Sequence, residues 1–443
     1  MAQLKLIRGA RIVDPASGRD EVGDLLIEGA RVAERGASTS GADVVDAKGL
    51  VLMPGALDIH VHLREPGRED EETIESGARA AIHGGFTSVA CMPNTEPALD
   101  TQGAIRFVKA KAREAGLARV FPIGAITVGR RGERLTEFGE MVTAGAVAFS
   151  DDGDSVDKAG LKRRAFEYAR MFGVPLISHC EDKSLSAGGV MNEGAVSTRL
   201  GLRGWPRIAE EIIIARDIAL AEYTGGRLHV AHVSSAGGVA LVREAKRRGV
   251  RVTAESMPHY FALTDDALAE YDTNLKVNPP IRTAEDREAI IAGLADGTLD
   301  TIASDHAPHA SFEKDLEFDR APFGLIGLET TLALVMTELV RPGRLSIAAA
   351  VERMTAGPAR ALGLPLGRLA PGAPADITLF DPDASWRVDP AEMLSRSKNT
   401  PFTGREVTGR VRMVFVAGER RFADGELFAR PGEPADLAES SSK

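Results

Sequence analysis

Cysteine is nearly absent: the chain has 443 residues and only two cysteines, Cys91 and Cys180. That excludes a disulfide scaffold and favours a reduced, cytoplasmic setting. Positive charge is in deficit. Lys plus Arg is 54 against 64 for Asp plus Glu, a net charge of −10. General binding to nucleic acid or to an anionic membrane is not expected of such a surface. An anionic substrate would need a local Arg to overcome that background. No run of about 18 apolar residues occurs, so no transmembrane helix is expected. The opening MAQLKLIRGARIVDP lacks the apolar core of a signal peptide, and none is expected. Short internal repeats and low-complexity linkers are missing too. What is present is ordinary: 44% hydrophobic and 27% charged residues, enough for a large core without staples. The acidic, Ser-rich end, 431–443, reads as a frayed tail.

The middle of the chain alternates between short β-branched runs and longer segments of helical period. Eight strands are predicted, at 57–62, 87–92, 119–126, 146–150, 175–179, 227–232, 251–255 and 301–304. Between them, Ile74, Ala78, Ala81 and Ile82 recur at helical spacing, as do Ile208, Ile212, Ala215 and Ala219. Each set is expected to lay one apolar stripe onto a sheet. Eight strands alternating with helices predict an α/β fold, a (β/α)₈ TIM-type barrel at 55–365. An open doubly wound sheet is the alternative. The two ends read as strands and hairpins with Gly turns. Residues 1–54 and 366–430 are each too small to stand comfortably alone, so one β domain built from both is expected.

The sharpest feature is Asp58-Ile59-His60-Val61-His62. Strand side chains alternate faces, so His60 and His62 share one. Two imidazoles at the C-terminal end of a barrel strand are half of a metal site; two exposed histidines on a surface strand are the plain alternative. His179 ends the fifth strand, His232 the sixth, and Asp305 follows the eighth. Asp151 and Asp152 end the fourth; periodicity does not choose between them. Barrel active sites form on this rim, so the placement points to a metal centre. Other histidines read as structural. His229, three residues before His232, should face away from it and pack among helices. His83 closes a helix, His259 lies in a loop, and His306 should point elsewhere. Cys180 reads as core. Imidazole and carboxylate ligands suit Zn²⁺ best, with Co²⁺, Mn²⁺ or Fe²⁺ as alternatives. Such a centre hydrolyses by lowering the pKa of a bound water and polarising a carbonyl. Asp305 would take the water's proton and pass it to a leaving nitrogen.

DIHVHLREPG at 58–67 and ASDHAPHASFEK at 303–314 resemble the two signature motifs of dihydroorotases, with ACMPNT at 90–95 and VNPPIR at 277–282 in support. The resemblance covers nearly the whole chain and is to the long bacterial type, within the metal-dependent amidohydrolase superfamily. It implies a barrel with a small β domain from both termini. The implied activity is the reversible interconversion of N-carbamoyl-L-aspartate and L-dihydroorotate in de novo pyrimidine biosynthesis. It implies that His60 and His62 hold one metal, His179 and His232 a second, and that Asp152, rather than Asp151, bridges them. It implies one or two Zn²⁺ per subunit, two being favoured, with Asp305 both ligand and catalytic general acid/base. His62, Arg64, Asn94, Asn278, His309, Phe323 and Gly324 are implied to contact substrate. A homodimer, and a complex with aspartate transcarbamoylase, are implied as partners. Arg64 fits this role physically: it leans the same way as His62, and a guanidinium grips a carboxylate bidentately. Standing alone it would read as a surface salt-bridge residue.

Many superfamily relatives bridge their metals with a carbamylated Lys at the end of the fourth strand. Residues 146–156 contain no Lys. This departure argues against dihydropyrimidinase, hydantoinase and allantoinase, the neighbouring reading, and leaves the metal count open. A non-catalytic scaffold is the third reading, but such relatives lose ligands and every ligand is present. The long polar stretch 307–324 reads either as a lid over substrate or as a static loop.

Overall fold

The computed structural model describes residues 3–430; the tail expected at 431–443 lies outside them. Eight short parallel segments form a closed ring: β1 (Ala56–Val61), β2 (Phe86–Cys91), β3 (Arg119–Pro122, continuing as Gly124–Ala125), β4 (Phe149–Ser150), β5 (Leu176–Ser178), β6 (Leu228–Val230), β7 (Val252–Ser256) and β8 (Thr301–Ile302). Each pairs in parallel with the next. The ring closes between the first and last strands. His62 N–H donates to the His306 carbonyl at 2.8 Å, and Ser304 N–H donates to the Asp58 carboxylate at 3.1 Å. Every residue of β1 and β2 is buried, as a parallel sheet covered on both faces requires. The fold is a (β/α)₈ barrel with an added β sheet, as the alternation predicts.

The first predicted helical stripe behaves as expected. Helix Ile74–His83 starts at a capping box on Thr73 and buries Ile74, Ala78, Ala81 and Ile82. The second does not. Ile208, Ile212, Ala215 and Ala219 of helix Ile208–Thr224 are exposed, and the buried side carries Ala209, Ile213, Ile214, Ile218 and Ala221. Both faces of this helix are apolar, so periodicity cannot choose between them. Two polar residues decide it. Glu210 accepts from Ser234 N–H at 3.0 Å, and Asp217 accepts from the Ser178 hydroxyl at 2.7 Å. Both need partners that only the barrel side offers.

Among the described residues, nine strands from the two ends of the chain form one sheet. Val51–Pro54 pairs antiparallel with Ile377–Arg387, which joins N-terminal to C-terminal strands. This sheet braces the N-terminal end of the barrel strands. Arg119, the first residue of β3, makes a bidentate pair with Asp376 at 2.8 and 3.1 Å. The pair is nearly fully buried, and Asp376 also accepts from Ala417 N–H at 2.7 Å. No helix of the described residues is long and apolar enough to cross a membrane. Removing one partner of a buried pair strands the other charge. Asp376→Ala is therefore expected to lower unfolding stability by about 3–5 kcal/mol, read from urea denaturation; an unchanged midpoint would show that the pair does not couple sheet to barrel.

Candidate metal centre and active site

The C-terminal mouth of the barrel gathers the predicted residues. Asp152 lies at the centre. Its Oδ1 is 3.5 Å from His60 Nε2, 3.6 Å from His179 Nδ1 and 3.6 Å from His232 Nε2, and its Oδ2 is 3.7 Å from His62 Nε2. Asp305 Oδ1 lies 3.1 Å from His62 Nε2 and 3.5 Å from His60 Nε2. His179 Nδ1 and His232 Nε2 are 2.8 Å apart. Asp151 instead turns to Thr127, accepting from its N–H at 3.0 Å and its hydroxyl at 2.5 Å. The backbone here is unusual. Arg64 (φ 60°), His232 (φ 35°) and Asp305 (φ 48°) are all in the left-handed region, where a side chain costs about 1–3 kcal/mol. These turns aim side chains that a regular strand end could not.

These residues fit a metal. His60 Nε2 and Asp152 Oδ1 are buried and have no hydrogen-bond partner, which is costly for polar atoms without another ligand. Donor separations of 3.1–3.7 Å are near the roughly 3.4 Å edge of a tetrahedron built from Zn–N and Zn–O bonds of about 2.1 Å. Two overlapping sets can each hold an ion: His60, His62 and Asp305, and His60, Asp152 and His232. The electrostatics favour a cation. Burial acts to raise the Asp152 carboxyl, but His60, His179 and His232 outweigh it and hold it well below its usual range. Burial acts to lower His60, yet Asp152, Glu255 and Asp305 push it well above the usual imidazole value. His179 is similarly pushed up to about 9, with Asp152 and Glu181 outweighing its burial.

A second set of acids orients the first. Glu255, at the end of β7, meets His60 Nδ1 at 2.5 Å and accepts from His232 N–H at 3.3 Å. Glu181 meets His179 Nε2 at 2.9 Å and accepts from Asn278 at 3.2 Å. Sequence reading missed both, although each had a signal: Glu255 ends a barrel strand, and Glu181 shares His179's face two residues on. His229 requires correction. It does not pack among helices; its Nε2 lies 3.1 Å from Glu255 and its Nδ1 2.8 Å from Thr253. β6 ends at Val230, and the left-handed turn at His232 breaks the alternation on which that expectation rested. His306, His83 and Cys180 are placed as expected. His306 meets Glu72 at 3.2 Å, His83 pairs with Glu329 at its helix end, and Cys180 is buried. His259 requires correction: it lies not in a loop but in the short helix Pro258–Ala262, and burial pushes it down to about 4.

A cleft of about 160 Å³ opens over this cluster, lined by His62, Arg64, Asn94, Asp152, His179, His232, Asn278, Asp305, His309, Phe323 and Gly324. His60 lies fully buried among the cleft's acids and imidazoles. Asn94 Oδ1 meets His62 Nδ1 at 2.8 Å. Asn278 Oδ1 is buried without a hydrogen-bond partner. Arg64 Nε pairs with Glu71 at 2.9 Å, and the same carboxylate meets His309 Nδ1 at 3.0 Å. Glu71 had no local sequence signal. Gly324 has φ 138°, and a Cβ there would press on Ala307 at 2.8 Å and on His309 Nε2 at 3.0 Å. Its N–H and carbonyl are engaged with Lys276 and Asn399, so it forms wall. Asn399 also donates to Ala307, tying both ends of 307–324 together. Lys314 Nζ donates to Thr273 and Pro322 carbonyls at 3.0 and 2.8 Å. The segment is thus packed against the mouth.

The comparisons agree with this geometry. A family model described as "Dihydro-orotase-like" matches residues 49–237, and one described as "Amidohydrolase family" matches 213–422. The chain is 58% identical to the dihydroorotase of Pelotomaculum thermopropionicum, over 93% of this chain and 97% of that one. It is 55% identical to that of Pelobacter propionicus, over 93% and 98%. Among solved structures, the L-hydantoinase (dihydropyrimidinase) of Arthrobacter aurescens superposes with a TM-score of 0.87 at 28% identity, covering 98% of each chain. With close sequence relatives matched nearly end to end, the chain belongs to the dihydroorotase family.

Proposed function

We propose that this hydrolase of cyclic amides interconverts L-dihydroorotate and N-carbamoyl-L-aspartate at a centre of two Zn²⁺ ions. One observation carries the reading: a half-buried Arg, Arg64, shares a single small cleft with His62, Asp152, His179, His232 and Asp305, and His60 lies buried beside them. Dihydroorotate is a cyclic amide that bears a carboxylate. It needs a cationic anchor within reach of the hydrolytic centre, and hydantoins or dihydropyrimidines do not. Asp152 at the end of β4, where carbamylated relatives carry Lys, favours the same choice over the hydantoinases whose fold this chain shares. In this reading 1–54 and 366–430 form one β domain bracing the barrel of 55–365.

His60, His62 and Asp305 would hold one ion, His179 and His232 the other, with Asp152 between them. Bound there, the ions polarise the ring carbonyl and acidify a water. The protein's own groups do the rest. Arg64, with Nε fixed by Glu71, grips the substrate carboxylate and sets the ring's register. Asn278 Oδ1, buried and unpartnered, accepts a ring N–H. Asp305 Oδ1 faces the histidines, which leaves Oδ2 to carry the proton. It takes that proton from the attacking water and delivers it to the ring nitrogen as the C–N bond breaks. Ring opening adds one water and creates one new carboxylate; ring closure consumes a proton, so acid favours closure. Ionised Asp305, held below the usual carboxylate range because His60, His62 and His232 outweigh its burial, is in the state that the hydrolytic direction requires.

Loss of dihydroorotate's ultraviolet absorbance tests the reading directly. Turnover is expected to vanish on chelation, return with Zn²⁺, and be absent with hydantoin; hydantoin turnover would favour the neighbouring activity. Arg64→Ala is expected to cost about 2–5 kcal/mol in kcat/KM for dihydroorotate, mostly through KM. An unchanged KM would remove Arg64 from the substrate site. Glu255→Gln keeps the shape but not the charge that orients His60. It is expected to weaken Zn²⁺ retention against a chelator by about 10–100-fold, and retention equal to the parent would show that Glu255 serves only the fold.

A further inference from the structure

Between strands Ile377–Arg387 and Glu406–Val416 of the terminal sheet, the chain leaves that sheet and reaches the cleft. Residues 394–399 form no strand, yet their burial alternates. Ser395, Ser397 and Asn399 are buried, and Arg396 and Lys398 are exposed. Buried polar groups need partners, and all three find them on the loops that carry the proposed substrate contacts. Ser395 Oγ donates to Glu72 at 2.5 Å and Ser397 Oγ to the Glu71 carbonyl at 2.7 Å, both in the loop after β1. Asn399 turns to the loop after β8. Its Oδ1 accepts from His309 N–H at 3.1 Å. Its Nδ2 donates to the carbonyls of Ala307 at 3.1 Å and Gly324 at 3.2 Å. Only one orientation of the amide satisfies all three, because the N–H must meet Oδ1 and the carbonyls must meet Nδ2. Ala307, His309 and Gly324 all line the cleft.

We propose that this segment is a strap that sets the substrate-carboxylate subsite, with Asn399 as its positioning residue and Ser397 fixing the opposite side. The proposal rests on the dihydroorotate reading, in which Arg64 anchors that carboxylate and His309 shares the cleft with it. Arg64 Nη2 lies 3.4 Å from His309 Nε2, so one carboxylate placed there meets both. The two groups belong to different loops, and their spacing decides the fit. Glu71 pairs with both side chains, but side chains can swing together about a shared partner. The strap acts on backbone instead. Ser397 holds the chain at Glu71, and Asn399 holds it at Ala307, His309 and Gly324. Neither loop can shift without breaking a buried hydrogen bond. None of the hydrogen bonds of Asn399 goes to a candidate metal ligand, so its loss is expected to act on substrate binding and to spare the hydrolytic centre.

Steady-state kinetics of dihydroorotate ring opening tests the strap. Asn399→Asp keeps the shape but sets an acceptor against the Ala307 and Gly324 carbonyls. It is expected to raise KM about 10–100-fold with kcat within about twofold of the parent, and bound Zn²⁺ should equal the parent's. A segment that serves only the fold would instead lower the melting temperature and the active fraction, and so kcat, at unchanged KM; that result overturns the proposal. Should Asn399→Asp fail to fold, Ser397→Ala keeps it testable, since it removes one hydrogen bond and a single oxygen atom. Its KM is expected to rise about 2–10-fold, and an unchanged KM overturns the proposal. A parent inactive on dihydroorotate would overturn the functional reading and the strap with it. An active parent whose variants keep its KM overturns the strap alone.

Discussion

A carboxylate withdrawn from water must find a compensating charge or hydrogen bond, and the barrel mouth withdraws several, Asp58, Asp152, Glu255 and Asp305 among them. Almost everything else about the site follows from meeting that demand. Asp58 takes backbone N–H groups of His60 and Ser304 and so closes the barrel seam; burial still pushes it up to about 6. Glu255 takes imidazoles from β1 and β6. Asp152 and Asp305 take what is left of the histidines. Apart from the 3.1 Å contact of Asp305 with His62, they do so at 3.5–3.7 Å, too long for good hydrogen bonds and suited to a shared cation. The acids nearest the seam are thus satisfied by protein, and the acids nearest solvent call for metal.

The barrel was legible in the chain because parallel strands buried on both faces are short, apolar and evenly spaced. All eight predicted strands overlap observed ones, with ends displaced by a few residues. The clustered histidines were legible because alternation along β1 puts His60 and His62 on one face. Alternation failed where backbone leaves the strand region. His232 sits at φ 35°, which no pattern of apolar and polar residues announces, and the error at His229 followed from it. Helix Ile208–Thr224 failed for a different reason. With apolar residues all round, its orientation is set by the partners of Glu210 and Asp217, which come from Ser234 and Ser178 on other elements. Glu71 and Asn399 were invisible for the same reason: each acts through residues hundreds of positions away or in another loop.

The terminal sheet and the candidate active site lie at opposite ends of the barrel strands. Arg119 begins β3 at the sheet side, and the candidate ligands leave the strands at the other side. Stability and chemistry are therefore built at separate ends of the same eight strands, as in other barrels of this architecture. Asn399 is the exception, reaching from the C-terminal segment to fasten Ala307 and Gly324 beside the cleft.

The three left-handed residues at the mouth carry an implication for how such a site persists. Arg64, His232 and Asp305 each hold a backbone conformation that glycine would adopt at no steric cost. Replacement by glycine would relieve local strain while deleting the proposed anchor, ligand or proton carrier. Random drift toward a sturdier chain therefore runs downhill away from a working one at these positions. In the proposed reaction, selection on chemistry opposes the pull of folding at these positions, and a lineage released from the need for that reaction should lose the side chains early.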